Sequence, residues 1–427
     1  MQVFFHTLGC KVNQYETQQI REDLLGLGYT ETHDPKEADV ILINSCTVTA
    51  ESDRKTRQLV RRYKKVNQRA VVILAGCMPQ AFPKEAEKLP ADIIMGNKGR
   101  AVIPSAISDF LKTGEKALLF SPHKKGDSFE NCKINRFSER TRAYIKIEDG
   151  CDRGCTYCII PKARGRVRSK TLEDIRKEAA TLSKNGFLEI VLVGINLSSY
   201  GLDLGLTLAD AVEEVAKVEG VKRIRLGSLE PDLTNLPLLT RLKKVEKFCP
   251  QFHLSLQSGC DETLSRMNRL YNTKEYKKVV ENIRSLWGNA GITTDIMVGF
   301  IGETDEEFER SLNFAKEIGF VKAHVFPYSV RVGTAAEKMQ GRVEERVKQE
   351  RAAEMANACN NASLNLFEGL VGTTCEVLFE TQQGAYIMGY NEAYVPILTK
   401  AEENCLHKIL KVKIIGALEN GALAEII

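Results

Sequence analysis

The sequence predicts an α/β chain of three units: an amino-terminal parallel α/β (Rossmann-like) domain, a partial (β/α)6 TIM-type barrel, and a small all-β barrel at the carboxyl end. Three observations carry this. Apolar runs of strand length alternate with amphipathic helical patterns over most of the chain; an aperiodic stretch at 113–141 interrupts them once; and from 369 onward short strands broken by glycine and asparagine take over.

In chain order, VFFHTLG, YETQQIREDLLGLGY, DVILINSC, ESDRKTRQLVRRYKKV and AVVILAGC read as β-α-β-α-β within residues 1–112. Continuous apolar strands joined by helices imply a parallel sheet covered on both faces, with right-handed crossovers. SPHKKGDSFENCKINRFSERT, within 113–141, holds no period and is expected to be a linker. Over 142–368 the strands RAYIKIEDG, EIVLVGINL, RIRLGSL, FHLSLQSG, TTDIMVGF and HVFPYS alternate with helical segments such as LEDIRKEAATLSKNG and TKEYKKVVENIRSLWG. Six such units fit a full or partial barrel with its active site at the carboxyl ends of the strands. A helix, EERVKQERAAEMANACNNASLNLFEG, follows. In 369–427, TTCEVLFE, YIMGYN, YVPILTK, KILKVKIIGAL and ALAEII predict the small β barrel.

The composition, 43% apolar and 27% charged over 427 residues, is that of a folded multidomain chain and excludes a disordered one. No run approaches the ~18 apolar residues of a membrane span, and no basic leader precedes the first apolar run. A cytoplasmic protein without membrane association is therefore expected. In such a compartment twelve cysteines point to metal binding, catalysis or burial rather than to disulfides. The net charge of +4 does not by itself announce a nucleic-acid partner, which depends on clustering.

Cys151, Cys155 and Cys158 form a C-x3-C-x2-C motif directly after the first strand of the second unit. Three thiolates on one loop can wrap a 4Fe-4S cluster and leave one iron free for a cofactor. A zinc knuckle is the structural alternative, but it wants a fourth ligand, and the nearest histidines in sequence are His123 and His253. Inert cysteines favour apolar runs, whereas EDGCDRGCTYC is rich in glycine and charge. Cys10, Cys46 and Cys77 each close a predicted parallel strand. All carboxyl ends of a parallel sheet share one edge, so topology alone gathers these three as a second metal site; buried small hydrophobes are the alternative. Cys132, Cys249, Cys260, Cys359, Cys375 and Cys405 show no such pattern.

The first motif, with Tyr157 as its aromatic, resembles the radical S-adenosylmethionine superfamily. That resemblance implies that S-adenosylmethionine binds the free iron and is split to a 5′-deoxyadenosyl radical. It also implies cofactor contacts at Tyr157, at Gly194, at Ser255 and Gln257 with neighbouring Ser258, and at Gly299 through Glu303. Over essentially its whole length the chain resembles the methylthiotransferase family, whose terminal barrel is the RNA-gripping TRAM module. The opening TLGCKVNQYET, with Lys11, Val12, Asn13, Tyr15 and Glu16, is most similar to the subgroup acting on N6-threonylcarbamoyladenosine at tRNA position 37. Other subgroups act on N6-isopentenyladenosine or on a ribosomal-protein aspartate. The resemblance implies two 4Fe-4S clusters, with S-adenosylmethionine as methyl donor and radical source, and partners comprising tRNA, a reducing electron donor and a sulfur source. Carbon 2 of an adenine bears an unactivated C–H bond that no side-chain base deprotonates, which explains the need for radical chemistry; no protein acid or base is nominated. The alternative of another class is an RNA-binding iron-sulfur protein without transfer activity.

Arg164, Arg166, Arg168 and Lys170, just past the cysteine loop, are the candidate RNA contacts, with the Arg54–Lys65 helix as a second basic segment and Tyr386, Tyr390 and Tyr394 as stacking surfaces. Departures from the family pattern are Lys162, where an aromatic is usual, Ile301, and Val330, Val332 and Ala335, where prolines are usual.

Overall fold

Helices cover both faces of the first sheet, which is why its central strands, Val40–Ser45 and Val71–Gly76, are buried at every position. The computed structural model describes residues 1–137, 141–401 and 405–427; residues 138–140 of the expected linker and 402–404 of the terminal unit lie outside these. Strands β1 (Gln2–Thr7), β2 (Thr30–Glu31), β3 (Val40–Ser45), β4 (Val71–Gly76), β5 (Ile93–Met95) and β6 (Ala117–Leu119) form one parallel sheet in the order β2-β1-β3-β4-β5-β6. The helices are α1 (Lys11–Gly26), α2 (Ala50–Val66), α3 (Cys77–Ala81), α4 (Pro83–Glu87) and α5 (Ile103–Thr113). Successive strand residues face opposite ways, so two cores result. Val40, Leu42 and Ile73 pack with Ile20, Leu24 and Ile107 on one side, and Ile41, Ile43 and Leu74 with Val60 and Tyr63 on the other.

The sheet runs past residue 112, because β6 pairs with β5. Cys132, Ile134 and Phe137 then enter the core of the second unit. The carboxyl end of the expected linker is thus packed at these three residues, whereas most of 113–131 is exposed. Its apolar residues are spaced by the surfaces they cover, so neither a helical nor a strand period shows.

The second unit contains β7 (Arg142–Lys146), β8 (Glu148–Asp149), β9 (Arg168–Ser169), β10 (Glu189–Val193), β11 (Arg223–Leu226), β12 (Ser228–Leu229), β13 (Gln251–Leu254), β14 (Gly291–Val298) and β15 (Lys322–Pro327). Two parallel sheets, β11-β10-β7 and β12-β13-β14-β15, meet where Gly227 divides β11 from β12. Among the described residues no pairing returns β15 to β7, so the barrel is partial. Helices α6 (Ile160–Arg164), α7 (Leu172–Lys184), α8 (Leu208–Ala216), α9 (Leu236–Lys243), α10 (Asp261–Arg266), α11 (Thr273–Leu286), α12 (Asp305–Ile318) and α13 (Glu345–Glu368) complete it. Capping boxes start three of them, Thr207 with Asp210, Asn272 with Glu275 and Thr304 with Glu307, satisfying amide hydrogens that have no partner inside the helix.

Strands β16 (Thr374–Gln383), β17 (Tyr386–Asn391), β18 (Pro396–Lys400), β19 (Ile409–Leu418) and β20 (Gly421–Ile426) close a barrel in the order β16-β17-β18-β20-β19. It docks on the amino ends of the larger barrel's strands. Arg223 donates to the Glu376 carbonyl (3.0 Å), Arg225 to that of Glu392 (2.9 Å), and Arg142 pairs with Glu380 (2.7 Å). Among the described residues no helix is long and apolar enough to cross a membrane.

Candidate active site

Antiparallel pairing of β8 with β9 closes the loop that carries Cys151, Cys155 and Cys158. The loop also folds on itself, with the Cys151 N–H on the Gly165 carbonyl (2.9 Å) and the Cys158 N–H on that of Cys155 (3.1 Å). Gly150 turns the chain into it at φ +92°, and a Cβ there would lie 1.9 Å from the Arg166 oxygen, so only glycine fits. Donors converge on the sulfurs: the Arg153 N–H (3.4 Å) and Asn196 Nδ2 (3.7 Å) on Cys151, and the Arg269 guanidinium (3.3 Å) on Cys155. Hydrogen bonds of this kind favour the thiolate that a metal requires. Burial opposes them, pushing the Cys151 thiol up to about 11 and Cys158 to about 12. Metal loading therefore releases protons.

The surroundings fit a cluster that binds an amino-acid cofactor. Glu148 Oε1 and Asn196 Oδ1 are buried acceptors without a partner among the described residues, while Glu148 Oε2 takes the Asn196 N–H at 2.7 Å. Unpaired buried acceptors are costly and ask for a donor, which a cofactor ammonium supplies.

The second trio gathers as the sheet topology demands. Cys10 precedes α1, Cys46 follows β3 and Cys77 opens α3, all at the carboxyl edge. Gly9 has φ +103°, and a Cβ on it would lie 3.1 Å from Cys46 Sγ, which shows how closely Cys46 approaches the turn into Cys10. Asn13 ties the turn together, donating to the Leu8 (2.8 Å) and Ser45 (2.9 Å) carbonyls. Burial pushes the Cys77 thiol up to about 12, against the pull of Arg164. Among the described residues no three His, Cys, Asp or Glu are drawn together tightly enough for a single metal ion. A 4Fe-4S cluster interposes its own iron and sulfide and takes a wider triangle.

The sequence-expected RNA contacts need correction. Arg164 is fully buried: its guanidinium lies 3.2 Å from Cys77 Sγ and binds Glu16 (2.5 and 3.0 Å) and Asn13 (2.6 Å). Arg168 is buried against Asp149 (3.3 Å) and Lys170 against Glu178. The segment from the end of α6 through β9 to Lys170 is packed against Glu16, Asp149 and Glu178, so these cations are paired with carboxylates and not free to meet phosphate. Arg166 is exposed. With Lys124, Lys125 and Lys162 it lines a cleft of about 580 Å³ that reaches Cys151. On α2, Arg54 and Lys55 pair with Glu51, and Lys64 pairs with Asp92. Tyr390 and Tyr394 stack on each other (4.5 Å, 15°) beneath Arg142, inside the interface between the barrels, and of the three tyrosines Tyr386 faces outward.

The expected cofactor contacts divide. Tyr157 packs edge-on against Phe300 and lies 3.5 Å from Arg269. Gly194 lines a second cavity, of about 430 Å³, and leaves room for Glu148, whose carboxylate a Cβ there would meet at 2.6 Å. Ser255 is buried, its carbonyl accepting from Tyr271, and Gln257 takes φ 65° to bridge Asp295 and Met297 through its backbone. Glu303 binds the Gly299 N–H (2.8 Å) and Arg351 (2.8 Å), so it pins the turn to α13. Gly299 is required there because a Cβ would collide with Lys348. Arg269, held by Glu230 and lying over the Tyr271 ring (5.0 Å), was missed by sequence reasoning. Its signal was the position of Glu230 directly beyond β12 and of Arg269 in the connection from α10 to α11.

The two cysteine sites are neighbours. Cys77 and Ala81 of α3 pack against Ile159 and Ala163 around α6, and the cavity of about 430 Å³ is lined by both Cys10 and Gly194.

Comparison with known proteins agrees with this layout. Residues 145–315 match the Radical SAM superfamily, and residues 2–96 match the Uncharacterized protein family UPF0004. The chain is 39% identical to the threonylcarbamoyladenosine tRNA methylthiotransferase MtaB of Thermotoga maritima, over 92% of this chain and 90% of that one. It is 37% identical to the Bacillus subtilis protein of the same name (97% and 94%). Identity to the tRNA-2-methylthio-N(6)-dimethylallyladenosine synthase of Pelotomaculum thermopropionicum is 34% (96% and 94%). Among solved structures, the radical S-adenosylmethionine methyltransferase TsrM of Kitasatospora setae shares the fold, with a TM-score of 0.57 at 13% identity over 76% of this chain and 74% of that one.

Proposed function

The chain belongs to the methylthiotransferase family of radical S-adenosylmethionine enzymes, and from that premise we propose that it attaches a methylthio group to carbon 2 of N6-threonylcarbamoyladenosine at tRNA position 37, giving 2-methylthio-N6-threonylcarbamoyladenosine. The observation that carries the reading is the close approach of two cysteine sites, one from each α/β unit: Cys77 packs in one cluster with Ile159, the residue after Cys158, and the cavity that Cys10 lines is bordered by Gly194 of the second unit. The threonylcarbamoyl substrate is supported by three relatives of that name at 37–39% identity, against 34% for the dimethylallyladenosine enzyme, although a fourth of that name stands at 33%.

In this reading Cys151, Cys155 and Cys158 hold the 4Fe-4S cluster at which S-adenosylmethionine binds, and Cys10, Cys46 and Cys77 hold a second. When bound, these groups supply the one-electron chemistry and the sulfur that an unactivated C–H bond demands. The chain's own side chains position and shield. Glu148 and Asn196 offer acceptors to the cofactor ammonium, Arg269 fixes Cys155, and Arg164 locks Cys77 to Glu16. Met267, Phe300, Ile301 and Tyr328 form an apolar wall beside Tyr157 that excludes water from a reactive species. Lys124, Lys125, Lys162 and Arg166 lead the RNA backbone to the cleft, and the terminal barrel, as a TRAM module, adds grip. The reaction also requires a reducing electron donor and a sulfur source, and takes place where tRNA is, in the cytoplasm.

The test is anaerobic reconstitution with S-adenosylmethionine, reductant and tRNA carrying threonylcarbamoyladenosine, with nucleosides read by mass spectrometry. Alanine at Cys10, Cys46 and Cys77 together is expected to abolish the methylthio product while 5′-deoxyadenosine still forms; alanine at Cys151, Cys155 and Cys158 is expected to abolish both. Modification of isopentenyladenosine alone would overturn the substrate assignment.

A further inference from the structure

The cavity of about 430 Å³ carries more charge than transfer to carbon 2 requires. Cys10 and Gly194 line its upper end, whereas Gln251 and Lys322, the first residues of β13 and β15, line it lower down, so it follows the strands into the barrel. Its size is that of a pocket for a small organic group. Its lining includes two lysines, Lys11 and Lys322, and two histidines, His253 and His324, against one carboxylate, Asp295. Asp295 faces His253 Nε2 at 3.4 Å, a contact that makes no hydrogen bond, and the other ring nitrogen of His253 lies 3.1 Å from Thr293 Oγ1. Lys11 follows Cys10 directly, and among the described residues no carboxylate lies within ion-pair distance of its ammonium. The nearby Glu189 is held by Arg225 at 2.9 Å. A lysine that lines a half-open cavity with no carboxylate at ion-pair distance offers a site for an anion.

The chemistry of the base supplies one. Carbon 2 and carbon 6 of adenine both flank nitrogen 1, so a ring that presents carbon 2 to the Cys10 site sends its N6 substituent past the same edge, where the next residue is Lys11. We propose that this cavity receives the N6 substituent of the substrate base and that Lys11 binds a carboxylate on it, with His324 as a further donor. The inference rests on the threonylcarbamoyladenosine reading and names the side chains that make the choice. An apolar N6 substituent would leave the ammonium desolvated and unpaired, so the contact selects for one substrate and against the other.

The experiment uses the full-length reconstituted enzyme and three anticodon stem-loop RNAs: one with threonylcarbamoyladenosine, one with its carboxylate converted to a neutral carboxamide, and one with isopentenyladenosine. Binding is read by fluorescence anisotropy and product by mass spectrometry. The wild type is expected to bind the carboxylate RNA about tenfold or more tightly than the carboxamide, the worth of one charge-assisted hydrogen bond. Lys11→Met is expected to lose most of the preference, and iron content is measured alongside because Cys10 is adjacent. His324→Gln, which does not neighbour a cysteine in the chain, is expected to narrow the preference several-fold. Equal binding of the two RNAs by the wild type, or an unchanged preference in iron-replete Lys11→Met, would overturn the assignment. A carboxylate preference in binding, with no methylthio product on any threonylcarbamoyladenosine RNA, would leave the pocket standing and sink the functional reading instead.

Discussion

Glu16 receives three buried cations: Arg164 at 2.5 Å, Lys146 at 2.8 Å and Arg100 at 3.3 Å. Burial alone would raise its carboxyl, but Arg100, Arg164 and Lys146 outweigh burial and hold it at about 2, below the ordinary 4.5. Because the folded value is depressed, this stability is present above the ordinary value and is lost as pH falls from about 4.5 towards about 2. Asp149, which Lys146, Arg164 and Arg168 also hold low against burial, moves in the same direction. Acid is therefore expected to loosen the contact between the first two units in that window, checked by intrinsic fluorescence or scattering against pH. Removing the carboxylate strands the cations, so Glu16→Gln is expected to cost about 3–5 kcal/mol in denaturant titration at neutral pH. A loss below about 1 kcal/mol, the worth of an exposed pair, would contradict the buried network.

At the scale of elements, the turn from a strand into a cysteine is built on glycine. Gly9 links β1 to Cys10 at φ +103°, where a side chain is strained and, in this case, collides with Cys46. Gly9→Ala is expected to cost about 1–3 kcal/mol and to spread the first-unit cysteines. Iron after reconstitution should fall towards half that of the wild type, with 5′-deoxyadenosine formation retained; full iron would show that the turn does not set the triangle. Beyond β15, where the family's prolines are absent, a side chain holds the segment instead. Arg331 is buried and binds Asp53 (2.6 Å) and Thr47 (2.9 Å) of the first unit. Lys162, the other departure, lies 4.7 Å from the Phe82 ring centroid, so a cation–π contact joins α6 to the first unit at this point.

For the whole molecule, the basic cleft is the surface on which the proposed RNA contact is tested. Arg166, Lys124, Lys125 and Lys162 are exposed, and none is ion-paired among the described residues. Each glutamine substitution among them is expected to lower the slope of log affinity against log salt by about 0.7–1, as the loss of one phosphate contact does. Arg168→Gln should leave that slope unchanged while weakening the fold, because its charge is spent on Asp149. A slope that falls with Arg168→Gln and not with Lys162→Gln would reverse this map.

Strand and helix alternation determined three strands of the first sheet, β1, β3 and β4, the six strands of the partial barrel and the terminal β unit from the sequence alone, because burial on one or both faces imposes a local period on the residues themselves; the short β2, β5 and β6 carry too few residues to show one. The C-x3-C-x2-C loop was equally legible, and the approach of Cys10, Cys46 and Cys77 followed from parallel topology, which fixes where strand ends lie. What the sequence could not decide was the direction of individual cations. Arg164, Arg168 and Lys170 look like a basic stripe until Glu16, Asp149 and Glu178, far off in the chain or on the opposing strand or helix, are seen to take their charge. Only the tertiary structure settles such pairings, since an ion pair depends on which carboxylate arrives in space, and no local spacing records that.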